Sequence, residues 1–365
     1  MKIQAAVSRG LGRPLSIEEV DLAQPQRDEV LIRLVASGVC HTDAESINGR
    51  GAPFPAVLGH EGSGVVEKVG DGVKGIQVGD HVVLSFSYCG TCDHCLEGWQ
   101  NACEHTVDLN FGGGLGEQGL SRLNQNGQQL AHFFGQSSFA TYTVANQKNV
   151  VVVDKDVDLA LLGPLGCGFQ TGSGTVLNAL QPKLGSSIVI FGAGAVGLSA
   201  VMAAKIANCG QIIAVDIHDS RLATAKEFGA THVINGKNTD ALAEIMTITG
   251  GKGAHYSIET TGVSSVVEQS VRCLRVLGTC AIVGIAGDVT LNFFPDVLGT
   301  CRTIIGVVEG NALPQKFIPQ LIRFYKEGRF PFDKLVKFYD FADINQAFED
   351  SKNGITIKPV VKIAA

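Results

Sequence analysis

A two-domain α/β protein, with a barrel-like all-β domain joined to a doubly wound parallel sheet, is the fold class this sequence predicts. Three observations carry that expectation. A chain of 365 residues exceeds what one hydrophobic core usually serves. Up to about residue 168 the text is a series of short β-branched or alternating runs between glycines. From about residue 187 it becomes strands alternating with helical stretches.

In chain order, "EVLIRLVASGVC", "GSGVVEKVG", "GDHVVLSFS" and "FATYTVANQKNVVVV" read as strands of the first domain. The segment 106–130, rich in Gly, Gln and Asn, reads as a long surface loop. Next, "SIVIF" precedes a helix from Ala195, "QIIAVD" precedes "SRLATAKEFG", "HYSIET" precedes "SSVVEQSVRCLRVLG", and "CAIVGI" follows. Strands separated by helices must be joined by crossovers, which gives a parallel sheet. "DVTLNFF" reads as an edge strand, "PQKFIPQLIRFYKEGRF" as an amphipathic helix and "ITIKPVVKI" as a closing strand returning to the first domain. The expected division is 1–168 with 311–365, and 169–310.

Composition excludes several classes of function. A formal net charge of −6, without a block of like charges, offers nothing to a phosphate backbone, so no nucleic-acid partner is expected. Arg9, Arg13 and two glutamates interrupt any apolar leader near the N-terminus, which points to the cytoplasm. The uncharged run 184–204 is long enough to cross a bilayer, yet its glycines are spaced for a strand, a turn and a helix, so no membrane span is expected. Ten cysteines in a reducing compartment read as metal ligands, reactive thiols or core residues rather than disulfides.

"GAGAVG" follows a strand, opens a helix and stands about twenty residues ahead of Asp216. Gly192 permits the tight turn, Gly194 lets the backbone approach a pyrophosphate beside Val196, and Gly197 lets helix and strand pack closely. Asp216 suits a ribose diol and repels a 2′-phosphate, so NAD is expected over NADP. Arg221 pairs with Asp216 or covers an adenine.

Cys89, Cys92, Cys95 and Cys103 are spaced C-x2-C-x2-C-x7-C, which satisfies a tetrahedral zinc completely and leaves nothing for chemistry. An iron–sulfur cluster also takes four cysteines, but the fourth stands off the ferredoxin spacing. His94 and His105 read as exposed loop residues. Cys209, Cys273, Cys280 and Cys301 read as core.

"GVCHTD", "GHEGSGVVEKVG", "GDHVV", the four-cysteine loop, "LGCGFQTG", "GAGAVGLSA" and "EFGATHVIN" together resemble the zinc-dependent medium-chain alcohol dehydrogenases, over nearly the whole chain and in that family's order. "FFGQSSFATY", "LLGPLGCGFQTG", "GVVEG", "FPFDKLVKFY" and "GITIKPV" look most like its bacterial aryl-alcohol (benzyl-alcohol) branch.

The resemblance implies a GroES-like β-barrel catalytic domain plus a Rossmann coenzyme domain, one catalytic and one structural zinc, and NAD as coenzyme. It also implies a small-molecule alcohol or aldehyde as substrate and a homodimer or homotetramer. Cys40, His60 and Cys167 become the catalytic zinc ligands, a Cys₂His set known for alcohol dehydrogenase. Asp43 and Glu61 become the carboxylates that orient His60 and tune the metal, and Thr42 the hydroxyl that passes on the substrate proton. The liver-type enzymes complete that relay with a histidine where this chain has Glu45. The terminal acceptor is then Glu45, His41 or water, with His41 expected mainly at the pyrophosphate. Thr171 and Val283 fall at the nicotinamide and Lys358 near the phosphates. The implied reaction is oxidation of a primary aromatic or allylic alcohol to its aldehyde. The alternatives are an S-(hydroxymethyl)glutathione (formaldehyde) dehydrogenase and a non-catalytic NAD- and zinc-binding relative.

Overall fold

The computed structural model describes residues 1–115 and 119–363. The chain divides into two compact units, one of residues 1–168, 313–322 and 333–365, the other of residues 169–312 and 323–332. Residues 323–332, expected with the first domain, therefore cluster with the second unit.

Unit 1 is built on two sheets. The five-stranded sheet runs in the order Ala56–Val57, Lys2–Ser8, Ser16–Leu22, Leu123–Gln125, Gln128–Leu130, antiparallel throughout. The seven-stranded sheet is centred on Glu29–Gly38, which is paired by Gly62–Val69 on one side and by Tyr142–Asn146 and Lys358–Lys362 on the other. Strand Lys2–Ser8 sends Ile3, Ala5 and Val7 into one core cluster and Ala6 into another, the period-two alternation of a strand covered on both faces. The segment 106–130 is no plain loop: it holds the helix Thr106–Phe111 and the hairpin Leu123–Gln125/Gln128–Leu130. Its polar composition hid these elements because the helix is short and the hairpin pairs at the rim of a sheet. Part of the expected loop, residues 116–118, lies outside the described residues.

Unit 2 is a six-stranded parallel sheet in the order His232–Asn235, Gln211–Asp216, Ser187–Phe191, Ala254–Glu259, Leu274–Ile282, Thr303–Gly306. Numbered along the chain this is 3-2-1-4-5-6, the doubly wound arrangement with its switch point beside the first strand. "SIVIF" is buried at every position, as a central strand covered on both faces must be. Two expectations shift here. Helix Ser264–Arg272 stops early, and "LRVLG" opens the fifth strand instead of ending the helix. The edge strand is Thr303–Gly306 and not "DVTLNFF". Of the remaining cysteines, Cys273 and Cys280 are core, Cys209 is half-buried, and Cys301, expected in the core, is exposed on a turn after Phe294–Leu298, with φ 49°.

Candidate functional site

Cys40 precedes the helix His41–Ile47 as its N-cap, with the extended backbone (φ −121°, ψ 158°) of that position. Asp43, in the first turn and fully buried, ties three pieces together. Its Oδ2 accepts from the Cys40 N–H (3.1 Å), and its Oδ1 accepts from the Gly59 N–H (3.0 Å) and faces His60 Nδ1 at 2.9 Å. Cys167 follows the short helix Gly163–Gly166, whose glycines allow close approach. A Cβ on Gly163 would lie 2.2 Å from the Glu61 carbonyl oxygen, and one on Gly166 1.9 Å from that of Leu84. The glycines crowding the three ligand motifs thus bring distant segments together.

Ligand atoms of Cys40, His60, Glu61 and Cys167 all lie within 4.8 Å of one another. With Nδ1 held by Asp43, His60 carries its proton there and leaves Nε2 buried with no hydrogen-bond partner among the described residues. A buried nitrogen lone pair beside two thiols is otherwise costly, and a metal ion relieves it. The hydrogen bond from Cys167, and then His60, hold the Cys40 thiol well below its ordinary value against the effect of burial. The donor set fits zinc. Asp43→Asn should lower metal affinity at this site by about 10–100-fold, measured by competition with a chromogenic chelator, because it weakens the partner that fixes the imidazole tautomer.

Thr42 places its hydroxyl 3.8 Å from Cys40 Sγ. The two carboxylates, expected to share the task of orienting His60, do different things. Asp43 holds the imidazole, whereas Glu61 takes the Lys358 ammonium at 2.9 Å on each oxygen and the Gly168 N–H at 3.2 Å. Lys358, expected near the phosphates, is buried: its side chain is 3% exposed and its ammonium is held by Glu61 and the Val39 carbonyl. Glu45 sits between Arg50 (3.1 Å) and the exposed His41 (3.6 Å).

Sequence reasoning missed the aromatic packing around His60. Phe134 stacks on the His60 ring (4.6 Å between centroids, 29° between planes), Phe133 meets it edge-on at 5.5 Å, and Phe111 packs on both phenylalanines. Gln136, fully buried, donates to the His60 carbonyl (2.9 Å) and accepts from the Gly62 N–H (3.2 Å). The available signal was "FFGQSSFATY", a polar-aromatic run too rich in hydroxyl and amide groups for an ordinary core strand.

The sulfurs of Cys89, Cys92, Cys95 and Cys103 also lie within 4.8 Å of one another. Gly90 (φ 76°) and Gly98 (φ 94°) make the turns that fold them back. Backbone N–H groups point at the sulfurs, from Cys89 to Cys103 (3.3 Å) and from Thr91 (3.4 Å) and Cys92 (3.3 Å) to Cys89. Burial would push the Cys89 thiol up, but the Thr91 and Cys92 donors bring it down to about 5. Four sulfurs complete a tetrahedron, so this is the structural zinc site. His94, exposed, is hydrogen-bonded to the Ala102 carbonyl and is not among the ligand atoms.

In unit 2 the turn after Ser187–Phe191 has the form the glycines require. Gly192 is left-handed at φ 92°, and a Cβ there would meet Thr260 Oγ1 at 2.4 Å. A Cβ on Gly197 would lie 1.7 Å from the Gly192 carbonyl oxygen, whereas one on Gly194 would meet nothing within 4 Å. Gly194 caps the helix Ala195–Ile206, whose first turn includes Val196 and presents free N–H groups beside that open space. Asp216 accepts from the Ala193 N–H (2.6 Å) and the His218 N–H (2.9 Å), so it also ties the glycine turn to the second strand. Arg221 lies on the helix Asp219–Phe228, Val283 follows the fifth strand with its N–H on the Glu259 carbonyl (2.9 Å), and Thr171 faces Glu309 (3.4 Å).

The alcohol dehydrogenase GroES-like domain profile matches residues 26–155, and the zinc-binding dehydrogenase profile matches residues 195–327. A geraniol dehydrogenase of Castellaniella defragrans is 43% identical over 98% of this chain and 97% of its own. An S-(hydroxymethyl)glutathione dehydrogenase of Synechocystis is 36% identical over 99% of this chain and 100% of its own. The crystal structure of a benzyl alcohol dehydrogenase from Acinetobacter calcoaceticus superposes with a TM-score of 0.96 at 48% identity, covering all of both chains.

Proposed function

The chain belongs to the zinc-dependent medium-chain alcohol dehydrogenases, and on that premise we propose that it oxidises a primary aromatic or allylic alcohol to the aldehyde with hydride transfer to NAD. The observation that carries this reading is the convergence of Cys40, His60 and Cys167 against an aromatic wall, with His60 Nε2 buried and unpartnered. Zinc held by these three residues supplies Lewis acidity that lowers the pKa of an alcohol, its charge balanced by two thiolates. Asp43 keeps the imidazole in the tautomer that leaves Nε2 free. The Thr42 hydroxyl takes the alcohol proton and hands it on. Glu45, water or His41 receives it, and His41 otherwise serves the pyrophosphate. A π-system next to the carbinol carbon spreads the positive charge that develops as hydride leaves, which favours an aromatic or allylic alcohol.

In unit 2 the helix N-terminus at Gly194–Val196 receives the pyrophosphate and Asp216 the adenosine ribose. Arg221 covers the adenine, and the Val283 carbonyl and Thr171 hydroxyl hold the nicotinamide. The units then act as a catalytic domain and a coenzyme domain. Asp216 carries a specific expectation. NADP should be used about 100-fold less efficiently than NAD, equivalent to about 2.7 kcal/mol, and Asp216→Asn should narrow that gap while raising the KM for NAD; comparable kcat/KM for the two coenzymes in the unaltered enzyme would remove this role.

A substrate panel read by NADH absorbance tests the function. Benzyl alcohol and geraniol should give the highest kcat/KM. Preference for S-(hydroxymethyl)glutathione would favour the second reading, which the Synechocystis relative supports. No turnover at all, together with one zinc per chain, would make this a non-catalytic relative. We also infer a homodimer or homotetramer, since Thr303–Gly306 stands at the edge of its sheet and Leu277, Phe293, Phe294 and Leu298 of the same unit are exposed. Sedimentation should show at least a dimer, and Ile304→Lys should shift it towards monomer. A cytoplasmic location suits metal-site cysteines that form no disulfide among the described residues, and among those residues no helix is long and apolar enough to cross a membrane.

A further inference from the structure

Phe134 is held in a conformation its own chemistry disfavours. Its φ is 52°, in the left-handed region where a bulky side chain is an outlier. Such strain persists only where the surroundings over-determine it. Here the Phe134 N–H donates to the Asn110 carbonyl (2.8 Å), and the Phe134 carbonyl accepts from Asn149 Nδ2 (3.2 Å) and Ser87 Oγ (3.4 Å). The next residue must be glycine, since a Cβ on Gly135 would sit 2.2 Å from Ser87 Oγ.

Each anchor of that clamp is fastened to the four-cysteine lobe. Asn110 lies on the helix Thr106–Phe111, which begins three residues after Cys103. Its side chain grips both backbone groups of Ser87, two residues before Cys89, accepting from the N–H at 2.8 Å and donating to the carbonyl at 3.0 Å. Asn149 follows Lys148, whose ammonium donates to the Cys89 carbonyl. The clamped Phe134 ring then stacks on the imidazole of His60, with 29° between the planes. Asp43 fixes one nitrogen of that ring but leaves rotation about the hydrogen bond free, and the stacked face of Phe134 removes that freedom.

We propose that the four-cysteine lobe sets the plane of the metal-binding imidazole through Asn110 and the clamped backbone of Phe134, which makes Phe134 a positioning residue for His60. This rests on the reading of Cys40, His60 and Cys167 as the catalytic metal site. The closed zinc tetrahedron thereby acts at a distance, on ligand geometry.

The test replaces the catalytic zinc by cobalt while zinc stays in the lobe, and follows the cobalt d–d bands and the rate of cobalt release to a chelator. Asn110→Ala and Phe134→Leu should each shift the bands and speed release about 10-fold, the scale of outer-shell effects on metal sites. Because both act through one linkage, the double variant should be no worse than the worse single one. Unchanged bands and release in Asn110→Ala, or single effects that multiply in the double variant, would overturn the proposal. If Asn110→Ala does not fold, Asn149→Ser, which removes the amide donor to the Phe134 carbonyl, is read in the same way. Cobalt–thiolate bands missing from the unaltered chain, or left unchanged in position and intensity by Cys40→Ser, would instead remove the catalytic-metal reading itself.

Discussion

Replacing Lys358 by methionine is expected to destabilise unit 1 by about 3–5 kcal/mol, the scale for removing one partner of a buried ion pair. Both members are out of water: side-chain exposure is 3% for Lys358 and zero for Glu61, and both carboxylate oxygens rest on the one ammonium. Methionine fills the volume of the lysine stem but leaves the carboxylate, among the described residues, with the Gly168 N–H alone. Urea unfolding with an unchanged m-value would measure the loss as a shift in midpoint. The double variant Lys358→Met/Glu61→Gln should recover most of it, since the buried charge is then gone. A single variant as stable as the parent would mean that the pair is hydrated in solution. Turnover should fall as well: with the ammonium removed, a Glu61 oxygen within 4.8 Å of the Cys40, His60 and Cys167 ligand atoms is free to compete for the place a substrate oxygen needs.

That pairing also shows where sequence reading stops. Lys358 and Glu61 are 297 residues apart, and nothing in "GITIKPV" says that its lysine is buried or which carboxylate it meets. Local signals fared better. "GAGAVG" can be read because strand, turn and helix are contiguous and each glycine answers a local steric demand. The four cysteines can be read because fifteen residues of chain, 89–103, fold back on themselves. The catalytic trio lies between these cases. Its residue types sit in glycine-crowded motifs, but only the resemblance to a family joined Cys40, His60 and Cys167 before the fold did. Asp43 and Glu61 looked alike as carboxylates near ligands, and only tertiary geometry separates the one on the imidazole from the one on Lys358. Phe134 was least legible of all, because its role depends on a positive φ imposed by Asn110 and Asn149 from two other segments.

The second large effect is expected from Cys103→Ser. The lobe around the four sulfurs has almost no apolar core of its own: beyond the cysteines only Tyr88 and Leu109 pack there, and Leu96 and Trp99 are exposed. Its ordered elements are a four-residue helix, Asp93–Leu96, and a three-residue turn of 3₁₀ helix, Gln100–Ala102, far below the length at which helices hold themselves. Metal coordination must therefore supply the order, and structural zinc in small modules is worth about 10–16 kcal/mol of apparent folding free energy. Loss of one thiolate should drop the zinc content from two ions per chain to one and open residues 90–102 to protease. The rest of unit 1 should stay folded, because its main core clusters draw on other strands. Zinc analysis with limited proteolysis would register both changes. A variant that kept two zincs and resisted cleavage would show that Cys103 is not the fourth ligand. If the lobe opens while the remaining zinc also becomes easier to remove, the lobe governs the His60 site as well as its own shape, since the helix that carries Asn110 starts three residues beyond Cys103.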